Sequence, residues 1–413
     1  MTDILDVLVV GGGPVGACAA ALLLRGSSGN GSSINGGPLR VCVLEPNRPQ
    51  PPAQGSALDS RVVAVSRASE HILKSVGAWS RVLGPRVGAY ERMRIWHESV
   101  APSSSGALVF DAAEVGEPNL GYIVENRLLQ AAALDEVAEL GGRIEPASLL
   151  GLHVGPESVT VETSTGPLSA RLVIGADGAR SAVRQLLGLT ADIAEFNQTA
   201  IVASVATERP HEKTAWQRFM RKGTLAFLPL ADGASSIVWS ADNDVATVLN
   251  GLSAAQFATE LDRASDLVLG STRLLGERVS FPLHRLAAHR YVAHRCALIG
   301  DAAHVVHPLA GQGVNLGLLD AAALAELILA ARREREDPGA LRVLRRYERW
   351  RKSEVAFMST AISAFDRVLA HGSGPISRLA QRGLGLVNSS QEIKRFFVSR
   401  ALGVAGELPK AAR

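Results

Sequence analysis

Residues 6–16 read Asp-Val-Leu-Val-Val-Gly-Gly-Gly-Pro-Val-Gly, and residues 17–25 continue as an Ala/Leu run. An apolar β-like segment, a Gly-x-Gly-x-x-Gly turn and a helix in direct succession form the context that makes this motif credible as a dinucleotide site. Gly11 permits the tight turn, Gly13 lets a pyrophosphate come close, and Gly16 lets the helix pack on the strand. Pro14 and Val15 complete the turn. A second apolar run, 41–44, ends at Glu45, placed to hydrogen-bond an adenosine ribose. The spacing exceeds the usual ~20 residues because residues 26–38, GSSGNGSSINGGP, form a flexible polar insertion. A glycine-rich turn with no ligand would not need strand, helix and acid together.

Two further strand ends carry a carboxylate. Residues 172–174 are apolar and lead into Gly175-Ala176-Asp177-Gly178, with a helix expected near Ser181. Alone, Asp177 is equally an Asx-turn or helix cap. Residues 296–299, Cys-Ala-Leu-Ile, read as a buried strand stopped by Gly300-Asp301. Asp301 thus stands where α/β folds collect ligands. Pro308, Gly311 and Gly313 then shape a loop before a helix over 314–329. The bare Gly-Gln-Gly segment lets backbone N–H groups at that helix's N-terminus meet a ligand, and such an end favours negative charge. A carboxylate for sugar hydroxyls followed by an anion-stabilising helix end suits a polyol-linked ring that becomes anionic.

Composition narrows the class. The chain has 413 residues and a formal net charge of +3, ample for a sizeable core and without a case for nucleic acid. Cys18, Cys42 and Cys296 sit in apolar runs without metal or redox spacing, so they are expected as buried thiols. Asp3 and Asp6 precede the first apolar run, which argues against a cleavable signal. No segment approaches ~20 uninterrupted apolar residues. A cytoplasmic location is expected, with any membrane contact peripheral, at the inner face.

Other residues leave alternatives open. Arg61 suits a pyrophosphate or ring edge as well as the surface. Arg127 opens a helix, where the macrodipole disfavours a cation, so either a ligand anion or Glu125 stands nearby. Ser66 or Ser69 caps a helix over 69–76, and 159–166 reads as a hairpin. Trp216, Phe219, Phe227 and Trp239 fit an apolar ligand pocket, although strand spacing favours ordinary core packing. His304 and His307 flank the glycine loop, with a structural role favoured over proton transfer. The arginines at 342, 345, 346, 349 and 351 read as a solvated helix face. Near the C-terminus Ile393, Phe396, Phe397 and Leu402 suit helix packing, self-association or membrane contact, with packing or association favoured.

GGGPVG at 11–16 with Glu45, ADGARSAVR at 176–184 and GDAAHVVHPLAGQGVNLGLLD at 300–320, in this order, resemble the class A flavoprotein aromatic monooxygenases. Within them, DSRVVAVS (59–66), residues 126–134, RFMRKGTLAFLPLADGASSIVW (218–239) and YERWRK (347–352) are similar to the FAD-dependent hydroxylases of ubiquinone biosynthesis. The 218–239 block most resembles the 2-polyprenyl-6-methoxyphenol branch. The resemblance implies an α/β, para-hydroxybenzoate-hydroxylase-like fold. A discontinuous Rossmann-type FAD domain (1–78, 105–183, 278–335) would accompany a mixed-sheet substrate domain (79–104, 184–277) and a C-terminal helical region (336–413).

By position, the resemblance implies that Gly11, Gly13, Pro14, Val15 and Gly16 hold the FAD pyrophosphate, and Glu45 the ribose. Arg61 and Arg127 would contact phosphate or ribityl, and Asp177 would serve FAD and the NAD(P)H approach. Gly300 and Asp301 would take the ribityl chain, and Gly311, Gly313, Val314 and Asn315 the pyrimidine side of the flavin. Pro308 would shape the pocket over the ring. The implied chemistry is O₂ activation as a flavin hydroperoxide and hydroxylation of a hydrophobic phenol, with NAD(P)H binding transiently. Membership of a biosynthetic complex and homo-oligomerisation are compatible with it. A prenyl reductase or epoxidase, or a non-catalytic FAD-holding subunit, would share the three motifs.

Overall fold

The computed structural model describes residues 4–28, 37–53, 56, 58–307, 311–369, 402–403 and 405–413. Pro308, Ile393, Phe396 and Phe397 lie outside the described residues.

The three glycine-bearing turns meet because their strands lie side by side. Leu5–Val10 pairs in parallel with Val41–Leu44 on one side and with Gly166–Gly175 on the other. Gly166–Gly175 in turn pairs with Cys296–Leu298. The register aligns Val10 with both Leu44 and Gly175, and Gly175 with Leu298. All four strands therefore release their chains at one carboxyl edge. These strands are continuous in Val, Leu, Ile and Cys because both faces are covered. The helices Pro14–Ser27 and Gln312–Arg333 pack together on the core through small, buried alanines. The hairpin Val159–Thr163 to Gly166–Gly175 forms as expected.

A second, nine-stranded sheet is mixed. Its strands are antiparallel except where Arg92–His97 runs parallel to Thr214–Met220. Two segments expected within the nucleotide-binding part, Leu108–Asp111 and Val279–Ala288, hydrogen-bond into this sheet instead. Their alternating patterns do not reveal which sheet accepts them. A three-stranded sheet, Val62–Ser66, Gly121–Glu125 and Gly88–Tyr90, makes up the rest of the strand pairing. Of the two candidate caps, Ser66 caps the helix Arg67–Val76, accepting from the Ser69 N–H, and Gly77 ends it in the left-handed region.

Gln312–Arg333 has the length and apolar composition of a membrane span. Leu316 to Ala325 are nevertheless buried within the fold, and fully buried Asp320 lies among them. The basic run on Leu341–Leu369 also divides. Arg342, Arg345, Arg346 and Arg349 are exposed, whereas Arg351 is 2% exposed and turned into the core. That corrects the reading of all five as a solvated face. Leu402 is buried with Leu108, Phe110 and Phe219, the packing outcome.

All three cysteines are buried and free, and burial pushes each thiol up to about 12. The thiolate is the reactive form. A thiol-reactive disulfide reagent at pH 8 is therefore expected to label none of the three in the native protein and all three in denaturant. Rapid native labelling of Cys42 would contradict its burial.

Candidate active site

The first turn is built for close backbone approach. Gly11 has φ +100°, and a Cβ there would stand 2.4 Å from the Ala176 carbonyl oxygen. The first motif thus lies directly on the second. At Gly16 a Cβ would meet the Gly11 oxygen at 2.0 Å, whereas at Gly13 it would meet nothing within 4 Å. Gly13 is also the N-cap of Pro14–Ser27, and no side chain caps that helix. Open space beside uncapped N–H groups fits a pyrophosphate. Glu45 holds the turn from the next strand: its carboxylate accepts from Gly12 N–H at 2.9 Å and from Asn47 N–H at 3.0 Å.

Asp177 takes the helix-cap alternative. One oxygen accepts from the Ser181 hydroxyl at 2.5 Å and the other from Val183 N–H at 3.1 Å. Beside it Arg184, 5% exposed, donates to the carbonyls of Ala302 and Ala179, each at 2.8 Å. Burial lowers its guanidinium's proton affinity and Asp177 raises it. Arg184 thereby fastens the second motif to the third. It stands within the ADGARSAVR run, where a cation beside the acid was the available signal.

The third motif is fastened from below. Asp320, fully buried, accepts from Gly300 N–H at 3.0 Å, His304 Nε2 at 2.6 Å and Arg351 Nε at 2.7 Å. Burial pushes its carboxyl up, but His304 and Arg351 outweigh this and hold it below the usual carboxylate range. His304 is therefore a buried structural residue, and it does not line the cavity described next. His307 is buried against Gln198 at 3.1 Å. Asp320 and Arg351 were missed in the sequence, although one acid inside a long apolar helix signals a partnered charge.

A cavity of ≈ 580 Å³ opens between the third motif and the second sheet, within the range of small-molecule sites. Asp301, Gly311, Gly313, Val314 and Arg61 line it. Asp301 is open to this cavity but otherwise enclosed, and burial pushes its carboxyl up while His304 and His284 pull it back. Gly311, at φ +62°, starts the helix Gln312–Arg333 without a side-chain cap. Asn315 clips this turn to the strand Val62–Ser66: its amide donates to the Ala64 carbonyl at 2.8 Å and accepts from Ser66 N–H at 3.0 Å. Gly300 and Gly317 leave room for Val15, which joins the first motif to the third. Arg127 stays apart, exposed and donating to the Gln50 carbonyl at 2.9 Å. Of the four aromatic candidates, only Trp216 belongs to the cavity lining. Phe227 and Trp239 pack in the core on the sheet's other face, and Phe219 packs with Tyr90 and Leu108. Alternation sends Phe227 and Trp239 to that face, whereas Phe219 shares the face of Gln217 and is taken up by the cluster around Leu108.

The donors and spaces fit FAD: Gly13 and the uncapped helix end would hold the pyrophosphate, Asp301 the polyol and Gly311–Val314 the ring. The chain matches the family model described as FAD binding domain over residues 127–358. It is 36% identical over 412 residues to the ubiquinone hydroxylase UbiL of Rhodospirillum rubrum, covering 99% of this chain and 92% of that one. It is 35% identical to the 3-demethoxyubiquinol 3-hydroxylase of Escherichia coli, covering 97% and 98%. The chain belongs to the FAD-dependent hydroxylases of ubiquinone biosynthesis. This hydroxylase is an FAD-dependent monooxygenase. Its fold is shared by p-nitrophenol 4-monooxygenase PnpA from Pseudomonas putida, with TM-score 0.75 at 20% identity, covering 99% and 100% of the two chains.

The glycine geometry separates cofactor from fold. Gly13→Ala should leave the apoprotein within about 1 kcal/mol yet weaken FAD binding about tenfold, equivalent to ~1.4 kcal/mol. Gly16→Ala should instead destabilise the protein by ~1–3 kcal/mol or more through overpacking. Flavin content and urea unfolding of both variants distinguish the two effects.

Asp320→Asn leaves Arg351 buried without its counter-charge and should cost about 3–5 kcal/mol at pH 7. Because the folded carboxyl is depressed, its contribution is present above the unfolded value of ~3.9 and is lost as pH falls through the folded value. The wild-type advantage over Asp320→Asn should therefore shrink below about pH 4, and adding Arg351→Met should recover part of the loss in urea unfolding.

Proposed function

We propose that the chain hydroxylates the ring of a polyprenylated phenol, with 2-polyprenyl-6-methoxyphenol as the first candidate from the 218–239 block. The observation that carries this is the cavity, bounded by Asp301 and Gly311–Val314 on one side and by apolar strand residues such as Val202, Leu228 and Val238 on the other. Such a space accepts a flat ring beside a flavin and excludes bulk water from it. FAD held here would, once reduced, supply the activation of O₂, from which the transferred oxygen atom comes. NAD(P)H is the proposed electron donor, and Asp177, which bonds Ser181 and Val183 N–H, stands beside the first motif where the donor's approach is proposed.

The chain's own residues bind, orient and exclude. Asp301 takes polyol hydroxyls, Gly311 and Gly313 let N–H groups approach the ring without intervening side chains, and the sheet seats the substrate. A polyprenyl phenol partitions into bilayers, so the proposal includes a cytoplasmic enzyme meeting its substrate at a membrane surface. A demethoxyubiquinol is the second reading, favoured by the 35% identity to the Escherichia coli enzyme named for that substrate.

Expression in strains that each lack one ring hydroxylase, with quinone intermediates identified by mass spectrometry, tests both. Rescue of the strain that stalls at the 6-methoxyphenol is the expected result. Rescue of the demethoxyubiquinol strain alone would move the position and keep the chemistry. Failure to rescue any strain while the purified protein retains FAD would remove the hydroxylase role in this pathway.

A further inference from the structure

The second sheet presents two chemically different faces. Leu225, Phe227, Ile237 and Trp239 pack on one of them against Phe257 and Leu261. On the other, the register sets Gln217 beside Ala226 and Ala226 beside Val238, with Thr224 beside Ser240 in the adjoining row. These residues form the cavity's sheet wall. Gln217, Thr224 and Ser240 are only 6%, 4% and 4% exposed. None of the three side chains has a hydrogen-bond partner among the described residues, and none of their polar atoms is sealed from the cavity.

Polar side chains without a protein partner that reach a cavity are free to bond whatever occupies it. Three of them lie together on one wall, between apolar Ala226, Val202 and Leu228. Apolar side chains would fill these positions at no cost to the sheet. We propose that Gln217, Thr224 and Ser240 form the subsite that holds the oxygen substituents of the substrate ring, and so select which ring carbon faces the Gly311–Val314 wall. The inference rests on the phenol-hydroxylase reading above. Gln217 offers one acceptor oxygen and two donor hydrogens. Its carbonyl accepts from a phenolic hydroxyl while its amide N–H donates to an adjacent ether oxygen. The Thr224 and Ser240 hydroxyls each donate and accept. The ligand class is therefore a phenol or quinol with neighbouring oxygen substituents, rather than a bare hydrocarbon ring.

Two probes test this on the FAD-loaded protein: 2-methoxy-6-(3,3-dimethylallyl)phenol, and (3,3-dimethylallyl)benzene, which has the same tail and no ring oxygen. Binding is read from the absorbance of the bound flavin, for the wild type and for Gln217→Met, Thr224→Val and Ser240→Ala. The wild type should prefer the phenol. Gln217→Met should bind the phenol roughly tenfold more weakly, the loss of one to two hydrogen bonds. Its affinity for the hydrocarbon should stay within about twofold, and its flavin content and melting temperature should not fall, since the amide has no protein partner to lose. Each hydroxyl variant should lose about threefold for the phenol alone.

Equal phenol affinity in the wild type and all three variants would overturn the subsite while leaving the phenol-hydroxylase reading in place. Equal loss of both probes by Gln217→Met, with a lower melting temperature, would show a packing role and also overturn it. A wild type that binds the hydrocarbon but not the phenol would remove both the subsite and the reading beneath it.

Discussion

One buried carboxylate, Asp320, joins its own helix to the turn from Gly300 to His304 and to Arg351 of the helix Leu341–Leu369. A lone charge at full burial would be untenable, and its stability depends on every partner being in place. The same requirement makes the contact specific. Gln312–Arg333 cannot slide or rotate without orphaning the charge, so the N-terminal turn of that helix is held where Gly311 and Gly313 face the cavity. Asn315 repeats this device one turn from the cavity, with its amide bonded to the backbone on both sides of Val65.

The nucleotide end is positioned by close approach rather than by charge. Gly11 and Gly16 are places where backbone stands in the space of a side chain: the Ala176 carbonyl at Gly11, and the Gly11 carbonyl at Gly16. Arg184 then bonds the turn after this strand to the carbonyl of Ala302. Three turns at the carboxyl ends of parallel strands in one sheet are thus bonded into a single rim. The catalytic demand on such a rim is preorganisation, because hydrogen-bond donors aimed at developing charge need no rearrangement during the reaction.

The substrate side follows different physics. Its sheet is covered by helices on one face and is open to the cavity on the other, so parity sets the role of most residues on its central strands. Trp216 reaches the cavity although it pairs with Phe227, and Phe219 enters the core although it shares Gln217's face. Phe227 and Trp239 share parity with Ile237 and go to the core. Ala226, Val238 and Gln217 have the opposite parity and face the ligand space. Large aromatics draw attention in a sequence, but here small and polar neighbours form most of that wall.

Much of the nucleotide half was legible from the chain alone. A strand that must stop at glycine, a helix that must begin beside it and an acid at the next strand end are local constraints, and they point to the strand ends where ligands gather. The three motifs, the mixed second sheet and the buried cysteines were readable for the same reason. Residues whose roles depend on distant partners were not: the pairing of Asp320 with His304 and Arg351, the bond from Arg184 to Ala302 and the sheet that accepts Leu108–Asp111 each depend on long-range packing. Spacing and propensity register short-range geometry, whereas burial and charge pairing are settled only when segments far apart in sequence come together.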